Sequence, residues 1–370
     1  MKKIAYIINH TTFFSSHILP HAIKAQNEGY DVRLFCGIYS SKSMNKHGLN
    51  LLKKNKIKTY IFNFSSSSYN IFKEIFIFIQ LLIKIKKFNP DLLHVATPKG
   101  QIYGGLIARI LNVSSLVVFI SGMGYLFSNQ LSFYEKKVRD LFVLLQDIIF
   151  KHKNKIIIVE NKQDQNYFKK KFKVKKREIE LIHGSGVDLK IFKKIKNRKK
   201  NKIILFSGRI LKEKGIIEFM KASEILKQKF SDWKFIAAGA TDYLKPSKID
   251  KHFLEKKNKN IKFVNYKKNI IKLLNKTSIV CLPSYREGLP KTLCEAAACG
   301  LPVVTTNAVG CRSAIIPKKT GELCLPKNVN SLVKKIEFLI TNPKLRIIYG
   351  NNGIKLAKKR FNVVKITNKI

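Results

Sequence analysis

Short apolar runs alternate with helix-like stretches along the whole chain, and the series restarts once. The first series holds seven strand candidates, KIAYIIN, DVRLFCG, KTYIFNF, DLLHVAT, SLVVFIS, KIIIVE and IELIH. The second begins with KIILFSG and continues through WKFIAAG, IKFVNY, SIVCLPS and PVVTTN. This alternation is typical of βαβ units, which build parallel sheets. The sequence therefore predicts the α/β class, with two Rossmann-like doubly wound sheets.

The segment Asp188–Asn201 separates the two series and is polar, basic and aperiodic. It predicts a linker 188–201 between a first domain 1–187 and a second domain 202–370, and a chain of 370 residues suits two domains. In the first domain, helices are expected at residues 16–28, 70–87, 100–111, 132–152 and 162–172. We expect the two domains to face each other across a cleft, because open α/β sheets bind ligands at the carboxyl ends of their strands.

The formal net charge of +49 has three explanations. Lysines are scattered along the whole chain beside abundant Ile, Asn and Phe, which favours compositional bias. Attraction to an anionic membrane or ligand comes next. Nucleic-acid binding is the least favoured because no nucleic-acid motif is present.

The cysteines and the most apolar segments constrain the cellular setting. The six cysteines form no C-x-x-C pair and have no histidines at zinc-ligand spacing, which favours a reducing cytoplasm and no metal site. The N-terminal MKKIAYIINHTTFF predicts a first strand rather than a signal peptide, because polar residues follow its short apolar run. The segment Tyr69–Phe88 contains Lys73 and Glu74, which favours a deeply packed helix over a transmembrane one.

The segment LFSGRILKEKG predicts an anion site. A strand ends near Ser207 and Gly208, and Arg209 and Lys214 follow in the turn before a helix. Two cations beside free N–H groups at a helix N-terminus attract an anion by charge and by the helix dipole. An exposed basic turn explains the same pattern.

The segment SYREGLPKTLCEAAACGLPVV places Glu287 in a loop after a strand and Glu295 inside an apolar helix that ends at Gly300. A lone carboxylate among Ala, Leu and Cys is costly to bury without a partner. Sugar hydroxyls or a ribose diol are suitable partners, because a carboxylate accepts hydrogen bonds and a diol donates two. Pairing with nearby cations is the alternative.

EGLPKTLCEAAACGLPVV resembles the Glu-x7-Glu signature of retaining family 4 glycosyltransferases, which have the GT-B fold. FSGRILKEKG is similar to the diphosphate-binding segment of that family, and IHGSGVDLKIF to its entry into the interdomain linker. HVATPKGQIYGGLIARI and FISGMGYLF resemble a subgroup that builds bacterial O-antigen, capsule and protein-linked glycans on undecaprenyl diphosphate.

The resemblance implies a donor site in the second domain. Arg209 and Lys214 would neutralise the donor diphosphate without a metal ion, Glu287 would position the donor sugar, and Glu295 would bind the ribose diol. The catalytic residues implied are Glu287, Arg209 and Lys214. Further donor contacts implied are Ser207, Gly208 and the backbone N–H groups of Gly288, Leu289 and Lys291.

The resemblance also implies an acceptor side in the first domain, built from the loop Asn9–His17 and from later strand ends. The residues implied are Asn9, His10, Thr11, Thr12, His94, Thr97, Lys99, Ser121 and Gly122. Two positions depart from the family pattern: many members have His where Ser121 stands and Glu near Ser313. A single histidine such as His94 or His183 more commonly has a structural role than a catalytic one.

The sequence thus predicts a retaining glycosyltransferase that moves a hexose or N-acetylhexosamine from a UDP-sugar to an undecaprenyl-diphosphate-linked glycan. It is expected to use no cofactor, to bind no nucleic acid, and to lie in the cytoplasm on the inner face of the membrane. The amphipathic segment Ser132–Lys153 is a candidate membrane face, although a core-facing helix is the commoner explanation. A non-catalytic scaffold protein and a nucleotide-sugar epimerase of the same fold are the alternatives.

Overall fold

A computed structural model of the chain describes residues 1–38, 42–64, 70–124, 127, 131–194, 201–240, 259–264 and 270–370. The fold divides into two compact units. Unit 1 comprises Met1–Ile182 with Lys369–Ile370, and unit 2 comprises His183–Asn368. The first residues assigned to unit 2 therefore lie ahead of the linker predicted at 188–201, and residues 195–200 of that linker are outside the described residues.

Unit 1 contains a seven-stranded sheet in the order β3-β2-β1-β4-β5-β6-β7, with every neighbouring pair parallel. The central strands are buried, as is typical of a parallel sheet covered on both faces. All seven predicted strands form. They are β1 Lys3–His10, β2 Asp31–Gly37, β3 Lys58–Ile61, β4 Leu92–Ala96, β5 Ser115–Ile120, β6 Lys155–Val159 and β7 Ile179–Leu181.

The helices of unit 1 connect these strands. A helical turn Thr11–Phe13 and a π-helical segment Phe14–Ile18 lead directly into the first long helix. The others are α1 Leu19–Asn27, α2 Lys42–Lys54, α3 Ile71–Phe88, α4 Pro98–Ile110, α5 Phe133–Phe150 and α6 Lys162–Phe172, with a 3-10 turn at Lys176–Glu178. Helix α2 was not predicted from the sequence.

Helix α3 corrects the prediction of a deeply packed helix at Tyr69–Phe88. Its inner side chains, Ile77, Leu81, Ile85 and Phe88, are buried in the core of unit 1. Its other face is apolar and open to solvent, since Phe72 is 85% exposed and Phe76 is 61% exposed. Apolar residues therefore occupy both the face that packs on the core and the face that is open to solvent. Within the described ranges, no helix is both long and apolar enough to cross a bilayer.

Unit 2 contains a six-stranded parallel sheet in the order β10-β9-β8-β11-β12-β13. Its strands are β8 Ile203–Ser207, β9 Lys234–Ala238, β10 Ile261–Val264, β11 Ile279–Leu282, β12 Val303–Thr306 and β13 Gly321–Cys324. Strand β13 was not predicted. The chain order along the sheet reverses between β8 and β11, which makes the carboxyl ends of these two strands the topological switch point.

The helices of unit 2 pack on this sheet around a single apolar core. They are α7 Ile216–Lys229, α8 Ile270–Lys276, α9 Lys291–Ala298, α10 Val329–Thr341, α11 Pro343–Leu356 and α12 Val363–Thr367. Shorter elements are the 3-10 turns Lys212–Lys214 and Cys311–Ala314 and a π-helical segment Ala357–Phe361. The two parallel α/β units confirm the predicted fold class.

Truncating a side chain should change the free energy of unfolding differently on the two faces of helix α3. Replacing Leu81 with Ala should lower the free energy of unfolding by about 2–4 kcal/mol, because it leaves a cavity in the core. Phe76→Ala should change it by less than about 0.5 kcal/mol, because that ring faces solvent. Urea unfolding measures both. Equal losses in the two variants would contradict the two-faced packing of this helix.

Candidate active site

Two loops of unit 2 meet at the switch point, where β8 and β11 end side by side. The amide N–H of Tyr285, after β11, donates to the carbonyl oxygen of Glu213, after β8, at 2.9 Å. Gly215 has a φ of +76°, and a Cβ there would lie 2.2 Å from the carbonyl oxygen of Pro283. Only glycine allows this backbone approach and this φ together. The loop after β8 is therefore packed directly against the loop after β11.

A short side-chain contact across these loops joins Lys214 and Glu287. Lys214 Nζ donates to Glu287 Oε1 at 2.5 Å, although the residues lie 73 positions apart. The two side chains are only 15% and 13% exposed. A charge-assisted hydrogen bond in such a partly desolvated position is stronger than a surface ion pair. The structure thus brings together two of the three predicted catalytic residues.

The segment after β12 supports the loop that carries Glu287. The amide N–H of Glu287 donates to the carbonyl oxygen of Val309 at 3.0 Å. A Cβ on Gly310, whose φ is +79°, would lie 2.1 Å from the carbonyl oxygen of Glu287. The Thr305 hydroxyl donates to the Leu282 carbonyl oxygen at 2.7 Å, at the end of β11. These contacts fix the backbone of the loop and so orient the carboxylate before any ligand arrives.

A second, partly buried pair joins the same loop to helix α7. The Tyr285 hydroxyl donates to Glu218 Oε1 at 2.7 Å, and Glu218 lies in the first turn of that helix. Burial and this hydrogen bond raise the pKa of the Tyr285 hydroxyl. The sequence did not predict this pair, because its members are 67 residues apart and only the fold brings them together.

The other predicted residues after β8 lie at the same strand end. The Gly208 amide N–H donates to the Ala238 carbonyl oxygen at 3.0 Å, which extends the pairing of β8 and β9 by one residue. Arg209 follows directly and is half-buried. The hydroxyls of Ser207 and Ser284 are buried and have no hydrogen-bond partner among the residues that the structure describes. Ser284 is a second buried hydroxyl at this site, and the sequence did not single it out.

Helix α9 begins where the loop after β11 ends. Pro290 at its N-cap has no polar side chain to cap the helix, and its first turn, Lys291 to Leu293, contains no acidic residue. Gly288 and Leu289 lie in the loop just before the helix. Amide N–H groups at an uncapped helix N-terminus attract anions by hydrogen bonding and by the helix dipole. This part of the site is suited to a phosphate group.

Glu295 is the fifth residue of helix α9, and it is buried among small and apolar side chains. Burial raises the pKa of its carboxyl group to about 7, and the nearby charge of Lys291 offsets part of that effect. Buried carboxyls resist ionisation because the low-polarity surroundings solvate the anion poorly. The group is therefore poised to change its charge near neutral pH.

Unit 1 holds a smaller polar cluster at the ends of β1 and β4. The Thr97 hydroxyl donates to Asn9 Oδ1 at 2.8 Å and accepts from the Asn9 amide N–H at 2.9 Å. The Gly100 amide N–H donates to the same Asn9 Oδ1 at 3.1 Å. Thr97 has a φ of +67°, which is strained for a β-branched residue. Asn9 and Thr97, both predicted on the acceptor side, thus hold each other at one strand edge.

The segment Asn9–His17, predicted as a loop, is the end of a strand followed by helical structure. Asn9 and His10 end β1, Thr11 and Thr12 lie in the helical turn, and a π-helical segment follows. The His10 ring accepts a hydrogen bond from the Phe13 amide N–H at 3.3 Å and lies 2.7 Å from the Thr12 hydroxyl. This cap starts the helical segment at Thr11, five residues before the predicted helix start at residue 16. The connection between β1 and the helix is therefore shorter than predicted.

His94 was predicted at a strand end but lies in the middle of β4, buried against the Tyr6 ring at 4.9 Å. Burial lowers the pKa of its imidazole to about 3, so the ring stays neutral at physiological pH.

The remaining predicted acceptor-side residues lie after β4 and β5. Lys99 Nζ forms an ion pair with Glu74 Oε1 at 2.7 Å. Ser121 follows β5 directly and Gly122 has a φ of +106°. Residues 125, 126 and 128–130 after them lie outside the described residues.

Within the part of the chain that the structure describes, no three His, Cys, Asp or Glu side chains cluster in a way suited to a metal ion. The six cysteines are all buried and none forms a disulfide bond.

Two family models match the chain, one on each unit. The family described as "Glycosyl transferase 4-like" matches residues 3–161, and the family "Glycosyl transferases group 1" matches residues 187–356. The second match contains the loops after β8 and β11 and helix α9. Together the two matches include most of the sequence.

Individual glycosyltransferases and solved structures are also similar to this chain. The N,N'-diacetylbacillosaminyl-diphospho-undecaprenol alpha-1,3-N-acetylgalactosaminyltransferase of Campylobacter jejuni is 28% identical over 314 residues, which are 81% of each chain. The capsular polysaccharide biosynthesis glycosyltransferase CapM of Staphylococcus aureus is 22% identical over 308 residues, 79% of this chain and 78% of that one. The crystal structure of Anabaena Alr3699/HepE in complex with UDP has the same fold, with a TM-score of 0.76, 16% identity and coverage of 100% and 98%.

The raised pKa of Glu295 predicts a pH-dependent stability. The folded state keeps the proton up to about pH 7, whereas the unfolded chain releases it near 4.5, so the stabilisation is lost as pH rises between these values. Relative to wild type, Glu295→Gln should therefore gain about 2–3 kcal/mol in free energy of unfolding between pH 4.5 and pH 8.

Urea unfolding at a series of pH values measures this difference, with the exposed Glu180→Gln as the matched control. A difference between Glu295→Gln and wild type that stays constant with pH would show that folding does not raise the pKa of this carboxyl group.

Proposed function

The chain belongs to the group 1 glycosyltransferases of the GT-B fold, and we propose that it transfers a sugar from a UDP-sugar to a lipid-linked glycan with retention of configuration. The sugar is a hexose or N-acetylhexosamine, and the acceptor carries an undecaprenyl-diphosphate lipid. The reaction serves the biosynthesis of a bacterial surface polysaccharide or protein-linked glycan.

The names of the relatives support this choice of substrates. The Campylobacter jejuni relative is named as an N-acetylgalactosaminyltransferase acting on a diphospho-undecaprenol-linked sugar. The Staphylococcus aureus relative is named for capsular polysaccharide biosynthesis. The Anabaena neighbour of the same fold was crystallised with UDP and with UDP-glucose.

The contact between Lys214 and Glu287 is the observation that carries the proposal. It joins a cation and a carboxylate at 2.5 Å at the switch point, next to the N-terminus of helix α9. A nucleotide sugar has a diphosphate beside a sugar, so it needs cations and N–H donors next to a hydrogen-bond acceptor. Lys214, with Arg209 at the same strand end, would bind the diphosphate while Glu287 accepts hydrogen bonds from the sugar hydroxyls.

The proposed chemistry breaks the bond between the anomeric carbon and the diphosphate oxygen, which keeps the electron pair. The acceptor oxygen attacks the same face of the sugar, and its proton passes to the departing diphosphate. Positive charge develops at the anomeric carbon and negative charge on the diphosphate. Glu287 would stabilise the first, and Arg209 and Lys214 the second, which is electrostatic catalysis by groups already in place. These cations would take the role that a metal ion has in other transferases.

Glu295 would bind the ribose diol of the donor. Two hydroxyl groups donating to one carboxylate favour its charged form, and so binding would lower the raised pKa of Glu295. The unpartnered hydroxyls of Ser207 and Ser284 lie at the same strand ends and are further hydrogen-bonding groups for the donor.

The acceptor side would lie in unit 1, where Asn9 and Thr97 form the polar cluster at the strand edge. A lipid-linked acceptor would require the enzyme to work at the inner face of the cytoplasmic membrane. The excess of lysine and arginine, with a net charge of +49, suits contact with anionic lipids.

The proposal predicts that purified protein releases UDP from a UDP-sugar in the presence of a bacterial lipid extract. Glu287→Gln should lower kcat at least about 100-fold, because the neutral amide stabilises the developing positive charge poorly. Activity should persist in EDTA. A panel of UDP- and GDP-sugars, with nucleotide release and mass detection of the product, identifies the donor.

The exposed Glu180→Gln is the matched control and should keep wild-type turnover. Unchanged turnover in Glu287→Gln would overturn the catalytic assignment. A donor epimerised without any acceptor would instead identify an epimerase.

A further inference from the structure

Helix α3 of unit 1 has an apolar face that the fold does not cover. Besides Ile71 at its first position, five large apolar side chains of the helix are exposed and point outward, Phe72, Ile75, Phe76, Ile79 and Ile83. Four of them, at positions 72, 76, 79 and 83, follow the spacing of one helical stripe. The opposite side of the helix is already packed into the core through Ile77, Leu81, Ile85 and Phe88. We call the five outward residues the α3 face.

The charges on this helix are distributed unevenly. Its one carboxylate, Glu74, is turned toward helix α4, where it accepts hydrogen bonds from Lys99 and from the Tyr103 hydroxyl. The charged residues exposed on the helix are the lysines near its C-terminal end, Lys84, Lys86 and Lys87. The α3 face is thus bordered by positive charge.

A second apolar stripe lies in the same layer of helices. Helix α5 exposes Leu141, Leu144 and Ile148. It packs against helix α4 from the other side, where Gln146 Nε2 donates to Gln101 Oε1 at 3.3 Å. Helices α3 and α5 therefore flank α4 on one side of the sheet, and each presents apolar side chains to the outside.

We propose that the α3 face inserts into the headgroup region of an anionic bilayer, with helix α3 lying parallel to the membrane surface. An apolar stripe bordered by lysines is the pattern of interfacial helices. The opposite face of the helix is packed into the core of unit 1, so the helix can meet a bilayer along one side only. The choice of a bilayer rests on the lipid-linked acceptor of the proposed function.

A second copy of the chain fits this face less well. In a two-fold dimer the same patch meets itself, and the patch has no exposed carboxylate that could neutralise the lysines of the other copy. Anionic lipid headgroups instead neutralise each of these lysines. The charge complementarity therefore favours a lipid surface over self-association.

The test is sedimentation of the purified full chain with vesicles of phosphatidylethanolamine and phosphatidylglycerol. The triple variant Phe72→Ser, Phe76→Ser, Ile79→Ser should bind at least about tenfold more weakly, because it removes the inserted side chains. The matched control is Ile347→Ser, Ile348→Ser on helix α11, which changes two equally exposed apolar residues in unit 2 and should keep wild-type binding.

A second variant, Lys84→Gln, Lys86→Gln, Lys87→Gln, leaves the apolar residues intact and should weaken binding to these vesicles but not to phosphatidylcholine vesicles. Thermal unfolding shows whether each variant is folded. Wild-type vesicle binding by the folded triple serine variant would overturn the proposal. So would a wild-type dimer in solution that the triple variant loses, since the occupant of the face would then be a second copy.

These measurements distinguish a failure of the membrane-binding proposal from a failure of the proposed function. UDP release in detergent-solubilised acceptor should be the same in the triple serine variant and in wild type, because the α3 face lies outside the donor-binding residues. Vesicle binding without any sugar transfer would reject the proposed function and leave the α3 face as a membrane-binding surface.

Discussion

Parallel strand pairing is the constraint on which the rest of this structure depends. It places the carboxyl ends of all strands of a unit at one edge, so residues far apart in sequence meet there. In unit 2 this edge brings the loop after β8 against the loop after β11, with Gly215 packed on Pro283 and Lys214 bonded to Glu287. In unit 1 it brings Asn9 at the end of β1 to Thr97 at the end of β4.

The scarcity of acidic residues makes the position of each carboxylate informative. The chain has 23 acidic residues against 72 basic ones, and yet several glutamates of unit 2 are buried. Glu322 is held by Lys335 and the Tyr349 hydroxyl, and Glu218 by the Tyr285 hydroxyl. Glu295 differs, because burial dominates and raises its pKa to about 7. A carboxylate kept in such a position at a cost in stability is more typical of a ligand-binding site than of a structural one.

Much of the fold could be predicted from the sequence, because apolar strands and amphipathic helices alternate with clear punctuation. Helix α2 was missed because its sequence is rich in Lys and Asn, and β13 because it is short and contains Gly321. The cap at His10 depends on a ring nitrogen meeting an amide three residues on, which composition does not reveal. The resemblance of two motifs to one family could place Glu287 and Lys214 in one site, whereas the Tyr285–Glu218 bond, the burial of His94 and the open side of helix α3 depend on tertiary packing.

We infer that the switch point of unit 2 binds the diphosphate of a nucleotide sugar. Calorimetric titration of wild type and of Lys214→Met with UDP, UMP and uridine measures this binding. Wild type should prefer UDP to UMP by at least about tenfold, since one charge-assisted contact contributes about 1.5–3 kcal/mol. Lys214→Met should remove most of this preference and leave uridine affinity unchanged. Equal affinities for UDP and UMP in the wild type, or an unaltered preference in the variant, would contradict it.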